Sequence, residues 1–183
     1  MRVLSAAALL LILSAATTNA QTSQPRGSAG GLLGLGQTWD DEGSIGSGPV
    51  IGGRVEWRLF GTTAVELSVD LLSHDREGQF FEANGRTLFT GASLVHRFGE
   101  SVAQPYVLGG VHLATHSGTT RFVDLRTERD STDLGYHFGG GLAIRVSDRV
   151  EAGPEARFYM IQPGNDSDPA TAYWIGGRVG FRF

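Results

Sequence analysis

Hydrophobic and polar residues alternate along most of this chain. The last thirteen residues, TAYWIGGRVGFRF, place Ile175, Val179, Phe181 and Phe183 on one parity and Arg178 and Arg182 on the other. A period of two is the period of a β-strand, which turns successive side chains to opposite faces. Eight such segments lie near 30–39, 49–60, 62–72, 86–98, 104–116, 133–146, 149–160 and 171–183. Each is ~10 to 14 residues long, close to the ~9–11 that a tilted strand needs to cross a bilayer. No stretch after the N-terminus carries the 3.6-residue period of a helix.

The connections are of two kinds and alternate. Gly61, Gly99–Ala103 (GESVA) and Ser147-Asp148 are tight turns. DDEGSIGSG, SHDREGQFFEANG, SGTTRFVDLRTERDST and IQPGNDSDPA are long. A meander with tight turns at one end and long loops at the other is the layout of a transmembrane barrel. An even strand count places both termini at the tight-turn, periplasmic end. Aromatic residues are expected to form two belts at the headgroup levels. Trp57, Phe60, Phe98, Tyr106, Phe181 and Phe183 fall at the periplasmic end. Trp39, Phe89, Tyr136, Phe138, Tyr159, Tyr173 and Trp174 fall at the outer end.

Alternation alone leaves open which face is outside. A soluble barrel turns its apolar face inward, and a membrane barrel turns it outward. The polar face carries glycine beside long side chains: Trp174, Gly176, Arg178, Gly180 and Arg182 on the last strand, and Gly135, His137, Gly139, Gly141, Ala143 and Arg145 on the sixth. A solvated face has no need of that mixture, whereas a narrow eight-stranded interior must fit small residues beside large ones. Both charge signs occur on this face: Glu56, Glu66, Asp70, Glu151 and Glu155 against Arg54, Arg58, Arg97, Arg145, Arg157, Arg178 and Arg182. Buried charges need partners, so these twelve are expected to form an ion-pair network that plugs the lumen. Val65, Leu67, Val69 and Leu71, with Leu134, Tyr136, Phe138, Leu142, Ile144 and Val146, would face lipid. Pro154 inside the seventh strand removes a ladder hydrogen bond and predicts a bulge.

PYVLGGVHL (105–113), LGYHFGGGLAIRVSDRVEAGPEARFY (134–159) and the terminal GGRVGFRF together resemble small eight-stranded bacterial outer-membrane barrels of the OmpX, OmpW and opacity-protein kind. The resemblance covers residues 30–183 and implies an all-β, antiparallel up-and-down transmembrane barrel. It also implies that Val179, Phe181 and Phe183 act as a C-terminal signal read by the barrel-assembly machinery.

The N-terminus fits that destination. MRVLSAAALLLILSAATTNA has Arg2, a short apolar core and small residues at its end, the pattern of a signal peptide cleaved after Ala20. Residues 21–29 read as a polar leader. There is no cysteine, which excludes disulfides and thiolate metal sites. A net charge of -4 argues against nucleic acid. All 15 basic residues are arginine, the side chain better suited to buried, bidentate ion pairs.

Little in the chain reads as catalytic. The lipid A deacylase type of barrel carries His-x-Ser on a strand, and none of His74, His96, His112, His116 and His137 has serine two positions on. His112 and His116 share a strand face but lie ~13 Å apart at ~3.3 Å per residue, too far for one metal ion. The acids of DDE (40–42) and NDSD (165–168) lack the spacing of a complete calcium loop. GSIGSG (43–48) has no phosphate-loop lysine and reads as a flexible loop. No cofactor and no metal are expected.

The third long connection keeps alternating, with Arg121, Val123 and Leu125 against Phe122, Asp124, Arg126, Glu128 and then Arg129. It is the candidate surface-binding loop, since a protruding hairpin edge can pair with strands of other proteins. The expectation is a non-enzymatic barrel with a structural or adhesive role carried by its outer loops. Its partners would be outer-membrane lipids, lipopolysaccharide, the assembly machinery and extracellular proteins. A narrow conduit for small apolar molecules, a soluble periplasmic ligand-binding barrel with inverted faces, and a lipid A-modifying enzyme are the alternatives.

Overall fold

The structure is a computed structural model that describes residues 26–40, 43–78, 81–122, 125–162 and 170–183, with the side chains at 40, 43–45, 75–78, 81–84, 119–122 and 125–130 left out. The N-terminal segment through residue 25 and the acidic stretch 165–168 lie outside the described residues. Eight antiparallel strands close into one barrel in sequence order. They are β1 (Gly27–Asp40), β2 (Gly43–Phe60), β3 (Thr63–Gly78), β4 (Phe81–Arg97), β5 (Ala103–Phe122), β6 (Leu125–Arg145), β7 (Val150–Gln162) and β8 (Ala170–Arg182). β8 pairs with β1 from Ser28↔Arg182 to Trp39↔Thr171, so the chain's last strand closes on its first and leaves no sheet edge there. Gly27 and Phe183 exchange backbone hydrogen bonds of 3.0 and 2.9 Å, which ties both ends together at the tight-turn end. Among the described residues no helix is long and apolar enough to cross a membrane; the crossing elements are strands.

The tight turns lie where the sequence places them, with small shifts. Gly61-Thr62 makes the first, and Gly61 has φ of 52°. Gly99, at φ of 78°, stands in the second. That left-handed backbone is open to glycine at little steric cost.

Three of the four long connections are largely strand. β3 and β4 stay paired out to Gly78↔Phe81, and β5 and β6 out to Phe122↔Leu125. GSIGSG is not a flexible loop but the start of β2, paired with the end of β1 across a bulge at Thr38/Trp39. The apolar alternation stops where the strands leave the apolar layer, but backbone pairing does not need it.

Pro154 produces no bulge. β7 keeps one register against β8 through Pro154↔Gly177, and the β6–β7 register is the same on either side of the gap between Gly141↔Glu155 and Ile144↔Ala152. The proline only interrupts the ladder toward β6.

The faces settle the remaining ambiguity. Leu33, Leu35, Ile51, Val111, Ile175 and Val179 are all more than half exposed. The charged set lies inside: Arg157 is 2% exposed and Glu155 1%. A soluble barrel with inverted faces is therefore excluded. The aromatic belts need one correction. Trp57, Phe60, Phe98, Tyr136, Phe138, Tyr173, Phe181 and Phe183 point outward, and Trp39 stacks on Tyr173 at 4.7 Å. Phe89, Tyr106, Tyr159 and Trp174 are instead buried in the lumen. Their height along the strand suits a belt, but their parity is inward, and three of them carry a polar group that the interior uses.

Candidate functional site: the filled lumen and the raised outer sheet

The charged inward-facing residues of the lower lumen come from β2, β3, β4, β7 and β8, where each strand presents every second residue to the axis. Nine of the twelve expected network residues are buried there: Arg54, Glu56, Glu66, Asp70, Arg97, Glu151, Glu155, Arg157 and Arg178. Arg97 Nη2 donates to both oxygens of Glu56 at 2.9 and 2.8 Å, and the same guanidinium donates to Glu151 at 3.1 and 3.0 Å. Arg178 closes on the other side of Glu151. Glu155 is the hub. Arg157 Nε donates to it at 2.7 Å, Tyr106 donates its hydroxyl at 2.5 Å, and Arg54 also binds it. Arg157 reaches on to Glu66 at 2.5 Å and to Ser68 at 3.1 Å.

Four arginines thus face five carboxylates in a space closed to solvent. Charge-assisted, bidentate bonds are the ones that can offset the desolvation of such groups. The rings add to this. Arg178 lies 4.8 Å from the centre of the Tyr106 ring, and Arg157 lies 5.8 Å from that of Trp174. Small residues make the space. A Cβ at Gly52 would come within 2.1 Å of Asp70 Oδ1, and one at Gly141 within 2.5 Å of the Tyr106 hydroxyl.

The upper lumen is different in kind. Leu32, Val50, Leu72, Phe89, Ala114, Tyr159, Ile161, Ala172 and Trp174 form one apolar cluster. Tyr159 joins it to the network below, donating to Asp70 at 2.7 Å while accepting from Trp174 Nε1 at 3.3 Å. His112 and His137 pack beside it, 5.5 Å apart between ring centres. Ser93 Oγ and His137 Nε2 share a hydrogen bond of 2.7 Å. That contact was invisible in the sequence, because barrel curvature brings β4 and β6 together across β5. It has the form of a hydroxyl and its base, but both residues are buried and His137 Nδ1 has no partner among the described residues. A third group that would orient the imidazole is therefore missing from it. No cluster of three or more His, Asp or Glu side chains among the described residues is arranged to hold a metal ion.

Arg58, Arg145 and Arg182 do not belong to the buried set. They line the periplasmic mouth, with Arg58 and Arg145 exposed and Arg182 half-buried. Val179, Phe181 and Phe183 face outward at the same end.

At the opposite end the surface-binding candidates sit on strands rather than a loop. Arg121 and Phe122 end β5, and Arg126, Glu128 and Arg129 begin β6. Asp124 lies outside the described residues. β6 pairs with β5 along its whole outer part, but with β7 only from Leu134↔Gln162 downward. Among the described residues, Leu125–Asp133 therefore has a partner on one side only. β5 runs for 20 residues, roughly twice what a tilted strand needs to cross a bilayer. Strands β3 to β6 thus rise past the apolar layer as a small sheet.

The comparisons fit this geometry. A family model described as outer membrane protein beta-barrel domain matches residues 5–183. The chain belongs to that family. Solved structures of the same fold include Neisserial surface protein A, at 14% identity and TM-score 0.69 over 86% of this chain and 97% of that one. The attachment invasion locus protein Ail of Yersinia pestis is similar at 15% identity and TM-score 0.57, over 86% and 99% of the two chains. OprG from Pseudomonas aeruginosa gives 13% and 0.57, over 88% and 98%. No curated protein matches the sequence. This outer-membrane barrel thus shares its fold with surface proteins, at identities that speak for fold alone.

Proposed function

We propose that this outer-membrane barrel is a non-enzymatic surface-interaction protein, and that its working part is the raised outer sheet. The observation that carries the reading is that, among the described residues, β6 from Leu125 to Asp133 pairs on one side only. A strand edge with free backbone groups can accept an extended segment of another protein as an additional strand. The sequence of that edge, LRTERDSTD, is mostly polar and charged, which suits a strand kept soluble until a partner docks. The filled lumen supports the same division of labour, since ion pairs below and an aromatic cluster above occupy the space a conduit would need. One protein of this fold is named for attachment and invasion, and the proposal carries a role of that kind to this chain.

Its other partners in this reading are lipids and lipopolysaccharide around the apolar belt. The barrel-assembly machinery would engage the outward face formed by Val179, Phe181 and Phe183. The signal peptide would direct export and be removed by cleavage after Ala20.

The test replaces residues 117–130 with a two-residue Asn-Gly turn, which joins the register partners His116 and Ser131. Whole cells expressing either form are incubated with fluorescently labelled serum proteins. The full-length form should retain several times more label than the shortened one, while both keep a boiling-dependent shift on an SDS gel. Equal retention by the two forms, or none above vector-only cells, would overturn the reading.

A further inference from the structure

The periplasmic mouth of the barrel holds a second feature, independent of the outer sheet. The lumen opens there into a hollow of about 370 Å³, lined by Arg58, Arg97, Arg145, Arg182 and Gln104, with Glu100 and Asp148 on its turns. Arg145 and Arg182 end β6 and β8 on the inward parity. Their natural acid is Glu151. It stands opposite Arg145 in the β6–β7 register, and its neighbour in the β7–β8 register is Gly180, two residues before Arg182. Glu151 is already clasped by Arg97 and Arg178, and Glu56 is held by Arg97 through both oxygens. Among the described residues neither Arg145 nor Arg182 forms an ion pair. Arg182 lies in the positive fields of Arg145, Arg58 and Arg97, with Glu151 as the opposing charge. Two arginines without an ion pair, Arg145 and Arg182, set side by side at a concave space are unfavourable in the empty protein, and an anion relieves them.

We propose that this mouth is a phosphate-binding vestibule, in which Arg145 and Arg182 take the phosphate of a small molecule or of a lipid headgroup. Guanidinium forks match phosphate oxygens in bidentate geometry, and several forks around one hollow suit a group with three acceptor oxygens and up to two charges. The hollow is at the small end of the range for ligand pockets. It opens at the level of the outward aromatics Trp57, Phe60, Phe98 and Phe181, the headgroup level of the inner leaflet. A soluble phosphate ester and a phospholipid headgroup present the same chemistry there.

The experiment uses the mature chain refolded in maltoside micelles, which carry no phosphate. Inorganic pyrophosphate and lysophosphatidylglycerol are titrated separately by calorimetry. At least one should bind saturably, with affinity falling as salt rises. Binding of pyrophosphate points to a soluble ester, and binding of the lysolipid alone points to a headgroup. The double variant Arg145→Gln, Arg182→Gln should weaken binding at least tenfold. Gln104→Glu, which leaves every arginine in place and adds a negative charge to the hollow, should weaken it as well. Both variants are checked for the boiling-dependent gel shift. Absence of saturable binding by either titrant, or folded variants that bind as tightly as the wild type, would overturn the proposal.

Discussion

The two ends of the same strands are built on opposite plans. In the lower lumen every strand gives its inward side chains to a shared interior, where Glu155 alone meets Arg54, Arg157, Arg178 and Tyr106. Above the apolar layer, β3 to β6 continue as a sheet whose last member, among the described residues, pairs on one side only. The lower part gives each of its nine buried charged side chains at least one partner of opposite sign. The upper part is free of lipid and lumen constraints, and its β6 edge has no strand partner among the described residues. Stability and recognition are thus separated along one set of strands, and substitutions at the two ends should behave differently.

The largest effect is expected at the hub. Glu155→Leu strands three arginines in a closed space and should destabilise the folded barrel by about 3–5 kcal/mol, read as a lowered urea midpoint in lipid vesicles. Arg178→Leu leaves Glu151 with one arginine fewer and should lower stability by on the order of 3 kcal/mol by the same assay. A smaller contrast separates the inner and outer faces. A Cβ at Gly153 would fall within 1.7 Å of the Leu142 carbonyl oxygen, whereas one at Gly177 would meet nothing within 4 Å. Gly153→Ala should cost about 1–3 kcal/mol. Gly177→Ala should stay within about 0.5 kcal/mol, and a similar loss at both positions would blur the distinction between lumen and lipid face. The smallest effect is expected outside the membrane, where Arg126→Leu on β6 should also stay within about 0.5 kcal/mol.

Much of this was legible in the chain. The period of two, the tight turns and the glycine-rich polar parity of β6 and β8 define a barrel with its polar face inward. The ion-pair partners were legible as a set but not as pairs, because pairing depends on curvature: Arg157 meets Glu66 across the lumen, 91 positions away in sequence. Arg58, Arg145 and Arg182 share the parity of the network but not its depth, and the inward acids Glu56 and Glu151 are held by the deeper Arg97 and Arg178. Height along the strand suits Phe89, Tyr106, Tyr159 and Trp174 to the belts, but their parity turns them inward. The outer extensions of β2 to β6 were hidden for a different reason. Beyond the apolar layer a strand no longer needs alternation, so stretches such as SGTTRF at the end of β5 look like loop. The Ser93–His137 contact joins strands that are not neighbours, and no spacing rule would find it.

The separation of the two ends is most directly tested by urea unfolding in lipid vesicles of two variants side by side, Glu155→Leu and the form with residues 117–130 replaced by Asn-Gly. The account predicts a clearly lowered midpoint for the first and a midpoint unchanged from wild type for the second. Equal midpoints, or a larger loss in the shortened form, would contradict it.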